Sequence, residues 1–307
     1  MKMFFRFILV CSYLSAVSAM ADILNNHEAP NYQSGERCLS ALTHAQHSQQ
    51  TSYAFETSIT PDRSLNILSW NIEKGINAGW QNDLNQFTKS ADFILLQEAV
   101  LGEKMLSPND ADLYWSFSKG YTTQHYISGV LIASPHTPEF TCTLEITEPW
   151  LRSPKSSLLA YFQFDQTTPT IVVNLHAVNF TLGVKAFAEQ LGTLQKILTN
   201  YQGQLIVAGD FNTWNSDRLH LLQQFTAHLQ LTEAHFTPDN RTQKFGQVLD
   251  YIFIRNFEVI SSAVKSVSSS DHNPLLISVR HKNRDLDPDI ALVHESKTSL
   301  STPPSVN

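Results

Sequence analysis

Basic residues are in short supply: 21 Lys and Arg stand against 28 Asp and Glu, for a formal net charge of −7. That balance is a poor fit to a protein that grips nucleic acid through a broad basic face, although one locally basic groove is compatible with it. Glycine is sparse, at 11 of 307 residues, and proline is moderate at 13. There is no internal repeat and no low-complexity block. Cysteine is rarer still, and the spacing of Cys11, Cys38 and Cys142 fits no zinc site. The apolar run Phe7 to Val17 falls short of the roughly 20 residues of a comfortable membrane span. What is present, 42% hydrophobic and 10% aromatic residues, is enough for one large globular domain with a sizeable core.

The apolar run follows Lys2 and Arg6 and gives way to small residues. Val17-Ser18-Ala19 and Ala19-Met20-Ala21 both offer small-x-small cleavage sites. Residues 1–21 are therefore expected to be a signal peptide, with an uncleaved anchor as the alternative, and the protein to be secreted or periplasmic. Cleavage removes Cys11 and leaves Cys38 and Cys142, an even pair in an oxidising compartment. A disulfide tying the N-terminal segment to the domain is expected; two free buried thiols are the alternative. Residues 22–62 are polar and carry no sustained period, a leader that packs on the surface or stays loose, with His27, His44 and His47 solvated. Residues 281–307 read as a disordered tail. The domain is then 63–280.

Within it the rhythm is strand-rich. Leu65 to Trp70, Phe93 to Leu96, Gly129 to Ala133, Thr141 to Ile146, Leu158 to Phe164, Ile171 to Leu175, Leu205 to Ala208, Val248 to Ile254 and Leu275 to Val279 read as strands. Residues 183–200 keep a helical period, and shorter helices are expected near Trp80 to Lys89 and Ser216 to Gln230. Many strands with about three helices suggest two sheets packed face to face with helices outside.

Polar groups recur where those strands end: Asn71, Glu98, His176, Asp210 with Asn212, Asp250, and Asp271-His272. Asp210 and Asn212, two residues apart, project from one side of extended backbone. Alone they are equally a turn, since Gly, Asp and Asn all favour turns. Repeated at strand end after strand end, groups suited to acid, base or hard-metal chemistry describe one cleft fed by several strands.

Trp70-Asn71-Ile72, Leu96-Gln97-Glu98, Asn174-Leu175-His176, Gly209-Asp210-Phe211-Asn212, Leu249-Asp250-Tyr251-Ile252-Phe253 and Ser270-Asp271-His272-Asn273-Pro274 stand in the order found in the endonuclease/exonuclease/phosphatase superfamily. Over residues 65–280 the chain resembles that superfamily, and is most similar to its bacterial YafD-like branch. The resemblance implies a DNase I-like four-layer α/β sandwich, two mixed β-sheets packed face to face with helices outside. It also implies a hydrolase of phosphate esters that depends on Mg²⁺, with Mn²⁺ as the alternative ion. Glu98 would carry the metal, with Asn71 and Asp271 beside it. Glu73 would be a further ligand or, equally, a solvated carboxylate beside Lys74. His272 oriented by Asp250 would be the general base, and His176 the general acid, while Asp210 and Asn212 would position water and phosphate. Which of Asp210 and His272 takes the proton stays open. Arg152 and Lys155 suit a phosphate as a fork and a point charge, or form a basic surface turn. Asn179 is placed to reach the cleft, and Trp214 and Phe180 either stack on a base or head group or pack at the rim.

The expected substrate is a phosphodiester, bound by a monomer without a stable membrane span. Nucleic acid stands slightly ahead of a lipid head group. A sugar- or inositol-phosphate phosphatase and a catalytically dead binding protein are the further alternatives.

Overall fold

The computed structural model describes residues 30–48, 64–102, 113–149, 152–164, 169–181 and 183–282. The expected signal peptide, most of the tail and parts of the leader lie outside these residues. The chain opens with strand β1 (Asn31–Tyr32) and helix α1 (Gly35–Ser48), then β2 (Leu65–Asn71), α2 (Trp80–Thr88) and β3 (Phe93–Val100). Four strands follow: β4 (Tyr114–Thr122), β5 (Ile127–Ser134), β6 (Phe140–Thr147) and β7 (Pro154–Phe162). Next come β8 (Thr170–His176), α3 (Lys185–Leu198), β9 (Gln204–Asp210), α4 (Ser216–His228) and β10 (Thr232–Glu233). The small hairpin β11 (Gln243–Lys244) and β12 (Gln247–Val248) precedes β13 (Asp250–Arg255), β14 (Phe257–Val264) and β15 (Leu275–His281).

Two mixed sheets result. One has the strand order β1-β6-β7-β8-β9-β13-β10, the other β14-β15-β2-β3-β5-β4. Period-2 alternation decides which side chains meet between them. Leu65, Ile67, Phe93 and Leu95 of one sheet pack against Leu158, Ala160, Val172, Ile206 and Ile252 of the other. The opposite faces are covered by helices. Phe187, Leu191 and Leu194 of α3, Leu222 and Phe225 of α4 and Leu42 of α1 close over the first sheet, and Trp80 and Leu84 of α2 over the second. The molecule is thus a four-layer α/β sandwich, as the resemblance implies. Because β8 and β9 are covered on both faces, they are continuous apolar runs and not alternating ones.

Four helices, not three, stand among the described residues. The additional one, α1, buries only Cys38 and Leu42, too few apolar positions to show a helical period in the sequence. It is fastened where the cysteines suggested: Cys38 and Cys142 form a disulfide between α1 and β6, 104 residues apart in sequence. A cross-link closing so long a loop stabilises by about 2–4 kcal/mol through the unfolded chain. Reductant is therefore expected to lower the denaturation midpoint of the protein but not that of a Cys38→Ser/Cys142→Ser double variant. Equal sensitivity of the two would refute the linkage.

Candidate active site

Strand register builds the centre of the site. His176 of β8 pairs with Asp210 of β9, and Asp210 in turn with Asp250 of β13, so the three lie in one row across adjacent strands. Alternation sets them on the inner face, in step with Val172, Ile206 and Ile252. On the facing sheet the same face runs through Leu65 and Ile67 to Ser69 and Asn71, and through Phe93 and Leu95 to Gln97. The layer between the sheets is apolar for most of its length and turns polar at one end. Gln97 Nε2 donates to Asn174 Oδ1 at 2.7 Å, and Asn174 Nδ2 donates to the Leu96 and Leu131 carbonyls at 2.9 and 2.8 Å. That buried bridge joins the two sheets directly beneath the site.

Glu98 should point away from the cleft by simple alternation. It reaches the cleft because pairing between β3 and β5 shifts register between Leu96 and Ala99, and Glu98 itself adopts φ 54°. Asn212 (φ 49°), Glu73 (φ 49°) and Lys74 (φ 58°) are left-handed as well. Such conformations are uncommon outside glycine and cost on the order of 1–3 kcal/mol each. Their concentration around one cleft marks where the fold holds side chains against local preference.

The last arm is the loop between β14 and β15. Ser270 Oγ donates to the Asn71 carbonyl at 2.6 Å and accepts from the His272 amide at 3.1 Å, while Trp70 Nε1 donates to the His272 carbonyl at 2.9 Å. These bonds present the imidazole to the strand row. His272 Nδ1 lies 2.8 Å from Asp250 Oδ2, which leaves Nε2 facing Asp210 Oδ2 at 3.9 Å. Asp210 is fixed by three donors: the Asn212 amide on Oδ1 at 2.9 Å, and Asn71 Nδ2 (3.1 Å) and Asn212 Nδ2 (3.2 Å) on Oδ2. On its other side, His176 Nε2 is 3.5 Å from Asp210 Oδ2 and 3.8 Å from Glu98 Oε1.

Charge follows from this geometry. Burial alone would lower the His272 pKa, but the carboxylates of Asp250 and Asp210 outweigh it and raise it to about 10. Burial raises Asp210 to about 6, against the pull of His272. His176 is driven well below its usual value by burial and by the ammonium of Lys155. Lys155 Nζ stands 2.7 Å from His176 Nε2, and burial lowers its own pKa. His176 is therefore a neutral ring accepting from Lys155.

Other expected residues fall around this centre. Glu98 is ion-paired with Lys74. Glu73 Oε2 accepts from Asn77 Nδ2 at 2.7 Å and from the Asp271 amide at 3.1 Å, so it braces the His272 loop. The Asp271 side chain is 64% exposed, with Oδ1 3.9 Å from His272 Nε2. Asn179 Oδ1 accepts from Trp214 Nε1 at 2.9 Å. Arg152 is exposed and, among the described residues, makes no side-chain hydrogen bond or ion pair with the set. Of the two basic residues expected at the phosphate, the structure brings only Lys155 into the cleft.

The sequence left two supports unseen. Glu148 is wholly buried and accepts from the Asn179 amide at 2.6 Å and Ser153 Oγ at 3.0 Å. Arg218, also wholly buried, donates to the carbonyls of Val178 (2.6 Å), Asn179 (3.1 Å) and Asn212 (3.2 Å). The N-cap of α4 positions it, since Asn215 Oδ1 accepts from the Arg218 amide at 2.9 Å. Together they lock the loop after His176.

Donor chemistry suits a hard cation. Atoms of Asp210, Asp250 and His272 lie within 4.8 Å of one another, all oxygen or nitrogen, and Lys74 already places a positive charge against Glu98.

The family model for "Endonuclease/Exonuclease/phosphatase family" matches residues 68–272, and the chain belongs to that family, whose members are metal-dependent phosphoesterases. A UPF0294 protein of Vibrio vulnificus is 39% identical over 230 residues, spanning 72% of this chain and 78% of the relative. Among solved structures, the endonuclease/exonuclease/phosphatase of Beutenbergia cavernae aligns at a TM-score of 0.56 and 16% identity, covering 71% of this chain and 72% of its own. The human Nocturnin catalytic domain aligns at 0.53 and 16%, covering 73% and 96%.

Proposed function

We propose that the protein is an exported Mg²⁺-dependent phosphodiesterase, with Mn²⁺ able to serve in place of Mg²⁺. The observation that carries this reading is the row His176–Asp210–Asp250 facing His272, a carboxylate–imidazole pair beside an independently held histidine. Glu98 and Asn71 would hold the cation, in place of the Lys74 ammonium. A bound divalent cation supplies charge that offsets the phosphate oxygens and the surrounding carboxylates.

Asp250 accepts the Nδ1 proton of His272 and orients the ring; because the carboxylates raise its pKa to about 10, Nε2 takes the proton of the attacking water only from the unprotonated fraction of the ring. Asp210, held by three donors, orients that water with Asn212 and does not itself take the proton. Lys155 and His176 hold one mobile proton between two nitrogens and deliver it to the leaving oxygen. Asn179 steadies the adjoining rim. The Cys38–Cys142 disulfide and the apolar segment at residues 7–17 support export to the periplasm or medium.

The test is hydrolysis of a bis-aryl phosphate and of a mono-aryl phosphate by the purified mature chain. Activity on the diester, abolished by EDTA and restored by Mg²⁺, is expected; Glu98→Gln should raise the Mg²⁺ concentration needed for half-maximal rate. Turnover indifferent to EDTA, or confined to the monoester, would refute the assignment.

A further inference from the structure

We propose that Trp214, Phe245 and Phe180 form a stacking subsite that seats one unpaired nucleobase of the substrate beside the scissile phosphate. The proposal rests on the phosphodiesterase reading and narrows its substrate to nucleotides with accessible bases.

The hairpin β11–β12 is closed by two residues, Phe245 and Gly246, both at positive φ (53° and 78°). Two-residue loops of this shape favour Asn, Asp or Gly at the first position, and a bulky side chain there is strained. Burial does not offset that strain, because Phe245 is 79% exposed, the most open of the large apolar residues described. A strained aromatic held out in solvent points to a partner for its ring.

That ring does not stand alone. Trp214 meets Phe245 edge to face, centroids 6.4 Å apart. Behind it the Arg218 guanidinium lies 5.0 Å from the indole, and Asn179 Oδ1 accepts the indole proton at 2.9 Å. Phe180, 56% exposed, follows Asn179 directly. The Trp214 indole is held by Arg218 and Asn179 before any ligand arrives, which lowers the ordering cost of binding.

Its position ties it to the chemistry. Thr242, at the root of the hairpin, donates to the Asp271 carbonyl at 3.3 Å and accepts from the Asn273 amide at 3.0 Å, on either side of His272. Asn179 and Phe180 belong to the loop that leaves His176. The aromatic group therefore spans the two histidine arms.

A planar base fits this surface better than lipid. The residues flanking the tip, Gln243, Lys244 and Gln247, are polar or charged, so no continuous apolar patch enters a bilayer. Duplex bases are already stacked, and the net charge of −7 disfavours gripping a long duplex. What remains is a single-stranded or short nucleotide ester, with Lys244 beside its backbone.

The experiment measures binding in His272→Ala with Mg²⁺, by anisotropy of a labelled single-stranded tetranucleotide and of an abasic tetramer of equal charge. Base–aromatic stacking is worth about 1–3 kcal/mol, so Phe245→Ala and Trp214→Ala should each weaken the tetranucleotide roughly 5- to 150-fold. Phe245→Tyr should restore affinity, and the abasic tetramer should bind weakly and indifferently to all variants. Phe245 is exposed, so its variants keep the fold; the denaturation midpoint verifies this. Equal affinity for the two tetramers, a loss under twofold in Phe245→Ala, or aromatic-dependent binding to phosphatidylcholine vesicles would each overturn the subsite. Base-dependent binding without hydrolysis of any diester by the native chain would instead overturn the enzymatic reading and leave the subsite standing.

Discussion

His272→Ala is expected to lower kcat/KM on a bis-aryl phosphate at least about 100-fold, the scale set by loss of a general base. His272 carries a carboxylate on Nδ1 at 2.8 Å and turns Nε2 toward Asp210 at 3.9 Å. Asp250→Asn should reproduce part of the loss, because an amide no longer fixes which nitrogen carries the proton. A structural role would look different, and stability distinguishes the two. Asp250 and Asp210 raise the folded pKa of His272 from 6.5 to about 10. A group whose pKa rises on folding stabilises fully below its unfolded value and loses that contribution as pH climbs through the folded one. The native protein should therefore lose stability between about pH 6.5 and 10, and His272→Ala should lack that decline. A variant that stays within tenfold of native activity would remove His272 from the chemistry, whatever its stability does.

Much of this site was legible because strand ends are short-range features. The apolar runs Ile171–Val173 and Leu205–Ala208 are covered on both faces, so His176 and Asp210, the polar residues that close those strands, stand where the strands end. Order along the chain then supplied the remainder. Contacts made far from the strand ends were not legible. Glu98 enters the cleft only through a register shift and a left-handed backbone, which alternation cannot anticipate. Arg218 sits in a helix whose sequence reads as an ordinary polar surface, yet it is wholly buried and bonds three carbonyls of two loops. Helix α1 carries two buried residues and β14 only one, so neither imposes a period. The string of letters does not say which of Arg152 and Lys155 faces the cleft. Only the pairing of Lys155 with Ile146 on β6 fixes which one the strand carries toward His176.

Gly209→Ala should be among the most damaging single methyl additions at the described glycines. The reason is steric. A Cβ there would stand 2.0 Å from the Leu175 carbonyl oxygen, and the residue holds φ 139°, which side chains rarely adopt. The obstacle is backbone and not the end of a flexible chain, so relief requires β8 and β9 to separate. Those strands carry His176 and Asp210 in register, with Leu175 opposite Gly209 one step earlier. Combined steric and dihedral strain of this kind belongs among the large single-site effects, at least about 3 kcal/mol. For a domain of this size that is roughly 6–12 °C in midpoint. Activity should fall further than the folded fraction, because any shift between β8 and β9 displaces His176 relative to Asp210 by the same amount. A Gly209→Ala protein of native midpoint and native rate would show that the close approach of the two strands is not required, and with it the register argument for the site would fail.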